Sequence, residues 1–303
     1  DMVGHTGNLK AAIKAVEAAD RGLGQIANAT LAVGGTFLMN PGGKGANQAV
    51  AGARLDGNVT FVTKTGNDLF GEQAVHLFNF EGIDTRFIIR DARNPSGIAL
   101  ITVDENGENC IVVAPGSNAA LTAYDIEDAA FETDLTDVFL MQLEIPISTV
   151  EFVAQKVFHK GIRVILNPAP ARLLPNELLE CLYMITPNET EAEILTGIKV
   201  IDVPSAQGAA EKLLRKGVRN VVITMGAAGA FLLNPEFSGM IPVIPVKAVD
   251  TTAAGDVFNG ALAVAISEGK ELKDAVDFAN KAAAISVTRM GAQASAPYRK
   301  ELQ

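Results

Sequence analysis

From Val138 onward the chain repeats one unit, and this repetition limits the folds open to it more than any other feature. Short apolar runs rich in β-branched residues, at Val138–Leu143, Arg163–Leu166, Tyr183–Ile185 and Val221–Thr224, alternate with amphipathic helical patterns such as Ile147–His159 and Ala206–Lys216. Runs of this kind read as strands covered on both faces. Strands alternating with helices build βαβ units around a parallel sheet. Two Ala-rich helical patterns, Asp256–Glu268 and Leu272–Val287, close the chain, and their small side chains suit close helix packing. A length of 303 residues accommodates one large α/β domain with a sizeable core, or two smaller domains.

The region Ala32 to Pro115 reads differently. Thr36–Met39, Ile98–Val103 and Cys110–Val113 have strand character, and Asn106-Gly107 between the last two is a hairpin turn signal. A small antiparallel element beside the main sheet is expected. It is placed to act as a lid, because ligands of such sheets bind at the strand carboxyl ends. In Leu9–Thr30, residues Leu9, Ile13 and Val16 share one helical face, which predicts a short helix.

Composition narrows the partners. A net charge of -10 argues against nucleic acid, whose binding needs clustered Lys and Arg. It leaves a nucleotide open, since backbone N–H groups and one or two cations suffice for phosphate. Cys110 and Cys181 sit in apolar runs and read as buried free thiols, while His5, His76 and His159 are scattered and form no metal-ligand cluster. No apolar stretch reaches the ~20 residues that a bilayer requires, and the start of the chain has no basic-then-apolar signal. The cytoplasm is the expected location.

Four segments carry chemistry. In the first, Gly42-Gly43-Lys44-Gly45-Ala46-Asn47, the glycines allow a backbone to approach a ligand closely. Lys44 and Asn47 offer donors and an acceptor suited to hydroxyl groups. The GxxxxGK[ST] spacing of a Walker A loop is absent, and an ordinary Gly-rich turn is the plainer reading. The second, Asp250-Thr251-Thr252-Ala253-Ala254-Gly255-Asp256, lies between an expected strand at Ile241–Val246 and a helix. Small residues there leave free N–H groups at a helix N-terminus, where the dipole favours anions. Phosphoryl transfer needs such a preorganised field. Asp256, in the first helical turn, is placed to accept a proton from an attacking hydroxyl, or it is simply an N-terminal helix carboxylate. The third, Pro187-Asn188-Glu189-Thr190-Glu191-Ala192-Glu193, either complements a helix dipole or reaches Mg²⁺ through water. The fourth, Thr224-Met225-Gly226-Ala227-Ala228-Gly229, either lines a nucleotide pocket or turns a hairpin into Phe231-Leu232-Leu233.

In order and spacing, these segments resemble the ribokinase, or phosphofructokinase-B, family of carbohydrate kinases over about Ala32 to Gln303. Pro41–Gln48, Met141-Gln142-Leu143-Glu144, Asn188–Glu191 and Gly291-Ala292-Gln293 look most like its ribose-phosphorylating members. The resemblance implies an α/β three-layer sandwich, with a central mostly parallel sheet, helices on both faces and a small β-sheet lid that also forms a homodimer contact. It implies ATP-dependent phosphorylation of ribose to ribose 5-phosphate. Asp256 would be the catalytic base, and Ala253, Ala254 and Gly255 the anion hole. Gly43, Lys44, Gly45, Ala46, Asn47 and Glu144, with Asp1 and Asp256, would hold the sugar. Asn188, the loop from Thr224 through Met225, Gly226, Ala227 and Ala228 to Gly229, Gly255 and Asn280 would line the ATP site. Glu191 would support Mg²⁺ through water. Asp250, Thr252, Ser286, Arg289, Gly291 and Ser295 would hold an activating K⁺, largely through carbonyls.

The beginning of the chain departs from the family pattern. Family members open with a strand ending in an Asn-x-Asp sugar motif, and Asp1-Met2-Val3 looks like the end of that motif. A single kinase domain over 1–303 is expected, with a lid built from roughly 1–8, 31–40 and 96–115, and with 9–30 an atypical helical insertion. A kinase for another small sugar or a nucleoside remains an alternative. So does a non-catalytic or engineered binding or assembly module with this fold.

Overall fold

The computed structural model describes residues 40–103, 109–127 and 136–302, with side chains at all of these except 101–103 and 109–111. Asp1, the helix expected in Leu9–Thr30, the strand expected at Thr36–Met39 and the Asn106-Gly107 turn lie outside the described residues.

Helix α1 (Lys44–Arg54) comes first. Strand β1 (Thr63–Gly66), helix α2 (Leu69–Phe80) and strand β2 (Ile88–Asp91) then form a parallel two-stranded unit with Thr63 opposite Ile88. Asp68 starts α2 by accepting the Gly71 N–H over 2.9 Å. Strands β3 (Ile98–Val103) and β4 (Asn109–Ala114) pair antiparallel with Ile98 opposite Ala114, as the hairpin reading expects. The β1–α2–β2 unit is a feature that the strand and helix patterns of this region do not announce. Its strands, Thr-Lys-Thr-Gly and Ile-Ile-Arg-Asp, are four residues long and half polar. The one-turn helix α3 (Ala123–Ile126) follows, closed by a Thr122–Asp125 capping box.

The βαβ series comes next: β5 (Val138–Met141), α4 (Ile147–His159), β6 (Arg163–Leu166), α5 (Asn176–Leu179), β7 (Met184–Ile185), α6 (Glu189–Thr196), α7 (Val203–Arg215) and β8 (Asn220–Thr224). Strands β9 (Ala230–Leu233) and β10 (Ser238–Ile241) precede helices α8 (Ala254–Ser267) and α9 (Leu272–Ser286). The central sheet runs β10-β9-β8-β7-β6-β5, parallel from β5 to β8 and antiparallel across β8–β9–β10. The strand expected at Ile241–Val246 does not form. β10 ends at Ile241, because Pro242 and Pro245 in Ile-Pro-Val-Ile-Pro-Val have no N–H to give a ladder.

Both faces of the sheet are covered, and the strands show it residue by residue. Val164, Leu166, Ile185, Val221, Ile223 and Phe231 enter one core with α4, α5, α6 and α7. Ile165, Met184, Val222 and Leu232 enter the opposite core with α1, α8 and α9. This period-2 division is the three-layer sandwich. Each fully buried Val, Leu or Ile contributes roughly 1.5–3 kcal/mol. Cys181 is a buried free thiol among the described residues.

Candidate active site

The site lies where α1 crosses the N-terminus of α8, at the carboxyl ends of the central strands. Gly43 takes φ 96° at the N-cap of α1, a conformation that side-chain-bearing residues rarely adopt. The Lys44 N–H donates to Glu144 Oε2 over 2.8 Å, which ties α1 to the segment after β5. The two helices approach closely at Gly260. A Cβ there would lie 2.6 Å from the Gln48 carbonyl oxygen and 2.8 Å from the Ala51 Cβ. That approach brings two adjacent amides of α1 onto one carboxylate of α8. Asn47 Nδ2 donates to Asp256 Oδ2 over 2.8 Å, and Gln48 Nε2 donates to Asp256 Oδ1 over 3.0 Å.

Asp256 is 6% exposed. Burial pushes its pKa above the ordinary carboxylate value, while the Asn47 and Gln48 bonds and the charge of Lys44 pull the other way. Asp256 sits in the first turn of α8, where N–H groups have no acceptor within the helix. Ala253 caps that helix with φ 60°, in the left-handed region. The Ala254 N–H is directed at Thr251 O over 3.2 Å. The space beside Gly255 is open: apart from its chain neighbours and the backbone of its own helix, no atom lies within 4 Å of a Cβ built there. Asn47 Oδ1 is buried and without a hydrogen-bond partner. Its amide orientation is fixed, because the acceptor-only carboxylate of Asp256 claims the NH₂ end.

Asn188, between β7 and α6, and Thr224, at the end of β8, come together through an isolated parallel bridge. Asn188 also caps α6: Asn188 Oδ1 accepts the Glu191 N–H over 2.8 Å, and Glu191 Oε2 accepts the Asn188 N–H over 2.9 Å. Burial pushes the Glu191 carboxyl up. The Asn188 N–H and the charge of Lys44 oppose this, and the charge of Asp256 adds to it. Thr224 to Gly229 makes the β8–β9 hairpin, with Gly226–Ala228 as a 3₁₀ turn and the Met225 N–H donating to Gly229 O over 2.8 Å. Asn280 is buried, and its Nδ2 donates to Ile241 O over 2.9 Å, at the start of the proline-interrupted stretch.

The segment before α8 meets the C-terminal segment. The Val249 and Asp250 N–H groups donate to Val287 O over 2.7 and 3.2 Å. Asp250 Oδ1 accepts the Thr252 N–H over 2.9 Å, and Oδ2 accepts the Gly291 N–H over 2.8 Å. Although desolvation opposes it, these bonds hold the Asp250 carboxyl below its ordinary range. Ser286 and Ser295 are buried, and their hydroxyls donate to Ala283 O and Ala292 O over 2.8 Å each. The Arg289 guanidinium pairs with Glu301, and its backbone N–H donates to Ser286 O over 3.0 Å. Among the described residues no group of three or more His, Cys, Asp or Glu forms a metal cluster.

Four polar residues around Asp256 escape the sequence reading: Gln48, Asn167, Thr186 and Asn259. Each is buried at a strand end or on α1 or α8. Two adjacent amides set among the Gly and Ala residues that follow Lys44 in α1 are the signal that could have pointed to Gln48.

The model of the pfkB family carbohydrate kinases matches residues 11–299. Ribokinase of Haemophilus influenzae is 46% identical over 268 residues, covering 88% of each chain. Among solved structures, ribokinase from Thermotoga maritima is 43% identical with a TM-score of 0.79, covering 86% of each chain. Arabidopsis thaliana ribokinase, solved with ribose and ATP, is 33% identical with a TM-score of 0.82 and the same coverage. The match spans α1, the central sheet and the Asp256 helix alike, and the chain belongs to the pfkB family of carbohydrate kinases.

Proposed function

We propose that the protein phosphorylates ribose on its primary hydroxyl at the expense of ATP, with Asp256 as general base. The observation that carries this reading is a buried carboxylate in the first turn of α8, with both oxygens held by amides of α1. Asp256 takes the proton of the hydroxyl, and the freed oxygen attacks the γ-phosphorus. The bond to the bridging oxygen breaks, ADP leaves, and the proton stays on Asp256. In this reading the backbone N–H groups of Ala253, Ala254 and Gly255, at the N-terminus of α8, form the anion hole that stabilises the charge developing on the transferring group.

The residues present fit the substrates. Asn47 Oδ1 is a buried acceptor suited to a sugar hydroxyl. Lys44, Gly43, Gly45, Ala46 and Glu144 frame the same end of α1. Asn188, the Thr224–Gly229 turn and Asn280 surround the nucleotide side. Glu191 fits a water-mediated Mg²⁺ contact, because Oε1 is not used by its cap and Mg²⁺ retains waters. When bound, that ion would neutralise charge on the phosphates. The donor set of Asp250 and the surrounding carbonyls suits a large hard cation, which would stiffen the loop carrying Ala253 to Gly255. The β3–β4 hairpin, with Ile98, Leu100, Val112 and Val113 exposed, is read as the lid and homodimer contact of a single kinase domain. No described helix is long and apolar enough to cross a membrane, and dependence on ATP fits the cytoplasm.

The test is a coupled ADP-release assay across ribose, deoxyribose, fructose and nucleosides, with Mg²⁺ and K⁺ present. Ribose should give the highest kcat/KM. A higher value for another acceptor would reassign the substrate. ADP release that no acceptor stimulates would favour the binding-module reading instead.

A further inference from the structure

We propose that Gln48 is a positioning residue for the Asp256 carboxylate: its side-chain amide holds Asp256 Oδ1 and is itself held by Asn167 and Gln142. The inference rests on the reading of Asp256 as the general base, and it goes beyond that reading by assigning to Gln48 and its partners a hold on the charge state of the carboxylate.

The geometry determines the direction of every bond. An ionised carboxylate can only accept, so the NH₂ end of Gln48 faces Asp256 Oδ1 at 3.0 Å. The second N–H of the same nitrogen donates to Asn167 Oδ1 over 3.1 Å. Gln48 Oε1 then accepts from Gln142 Nε2. All the hydrogen-bonding capacity of this amide except one lone pair is in use, and Gln48 is 2% exposed. Asn167 Oδ1 is engaged, so its NH₂ end donates to Thr186 O over 3.3 Å. Thr186 Oγ1 donates to Asn259 Oδ1 over 2.6 Å, and Asn259 Nδ2 donates to Gly255 O over 2.8 Å. A buried run of polar side chains thus starts at the carboxylate of Asp256 and returns to the carbonyl of the preceding residue. It passes the ends of β6 and β7 on the way, and Gln142, after β5, joins it at Gln48.

Such a network can be no more than satisfied core polarity, which costs stability when broken and changes nothing else. What separates the two roles is the state of the carboxylate. The charged groups facing Asp256 are Lys44 on α1 and Glu191 on α6. Neither is removed by a change at Gln48. Loss of the Gln48 donor removes a bond to the ionised form and leaves burial less opposed, so Asp256 should hold its proton to higher pH.

The experiment is a ¹³C NMR titration of the aspartate carboxyls in the full chain, with the Asp256 resonance assigned by its loss in Asp256→Asn. Gln48→Met keeps the length of the side chain and removes its donors. The Asp256 midpoint should rise by about one pH unit, and the acid limb of kcat should rise with it while KM for ATP holds. A folded Gln48→Met protein with an unmoved Asp256 midpoint overturns the proposal. A midpoint that rises while the acid limb stays in place supports the hold on the carboxylate, and refutes the general-base reading of Asp256 instead. If Gln48→Met does not fold, Gln142→Met loosens the same amide from outside. A smaller rise in the same direction supports the proposal, and no rise overturns it.

Discussion

Asp250 Oδ2 accepts the Gly291 N–H over 2.8 Å, joining two segments 41 residues apart. One leads directly into the α8 N-terminus, and the other follows α9. The Val249 and Asp250 N–H groups reinforce the contact by donating to Val287 O. Binding of a large monovalent cation at this junction, as proposed, has a direct test. Activity should rise when Na⁺ or a bulky organic cation is replaced by K⁺ at constant ionic strength. Asp250→Ala should blunt the response. Equal rates in all three salts, in a chain shown to be active, would remove the cation from the account.

Asp256→Asn tests the base directly. The substitution keeps the size and removes the basicity, so kcat should fall by about 10²–10⁴-fold with little change in ATP affinity. The pH dependence has a definite sign. Burial raises the Asp256 pKa, and the base works only when ionised. Activity should therefore be present above that raised pKa and fall as pH drops through it, at a higher pH than an exposed carboxylate would give. Near-parental turnover in the Asn variant would show that Asp256 is not the base.

Glu144 separates sugar from nucleotide. Its Oε2 holds the Lys44 N–H, at the end of α1 that carries Asn47. Glu144→Ala removes a charge-assisted bond there, and losses of this kind run to about 1.5–3 kcal/mol. Calorimetric titration should show sugar binding weakened and ATP binding spared. The reverse pattern would move Glu144 to the nucleotide side.

Much of this arrangement is legible in the sequence, and the parts that are not share a cause. Arg163–Leu166 was readable as β6 because four residues sufficed to show a buried, β-branched run between helical patterns. β1 and β2 are as short, but Lys64, Arg90 and Asp91 interrupt them, and only their mutual pairing makes them strands. Pro242 and Pro245 carried the boundary of β10, and the apolar residues around them concealed it. Asn47 stood out by its place in a Gly-rich segment. Gln48 did not, because what singles it out is a partner 208 residues away. Asn188 and Glu191 show the opposite case: a local capping box is readable from their spacing, and the same Glu191 feels the charges of Lys44 and Asp256. Local chemistry was visible in the sequence, whereas contacts made by helix crossing were not.

The helix crossing itself gives the last prediction. Gly260 lets α8 approach α1 so closely that a Cβ would lie 2.6 Å from the Gln48 carbonyl and 2.8 Å from Ala51 Cβ. Neither neighbour is the end of a flexible side chain. Gly260→Ala must therefore push the helices apart or strain them, and overpacking of this kind costs about 1–3 kcal/mol. The same shift moves Asn47 and Gln48 relative to Asp256, although Gly260 lies one helical turn beyond the carboxylate. Misplacement by about 1 Å can cost 10²-fold in rate, so kcat should fall by roughly ten- to a hundredfold along with the loss of stability. Gly208→Ala in α7 is the control. Its Cβ would meet only the Ile198 Cδ1, at an ordinary 3.8 Å. Replacing Gly in a helix interior stabilises by roughly 0.5–1 kcal/mol, so that variant should melt higher and turn over normally. If Gly260→Ala melts lower but keeps its turnover, the crossing distance supports the fold alone and does not set the geometry at Asp256.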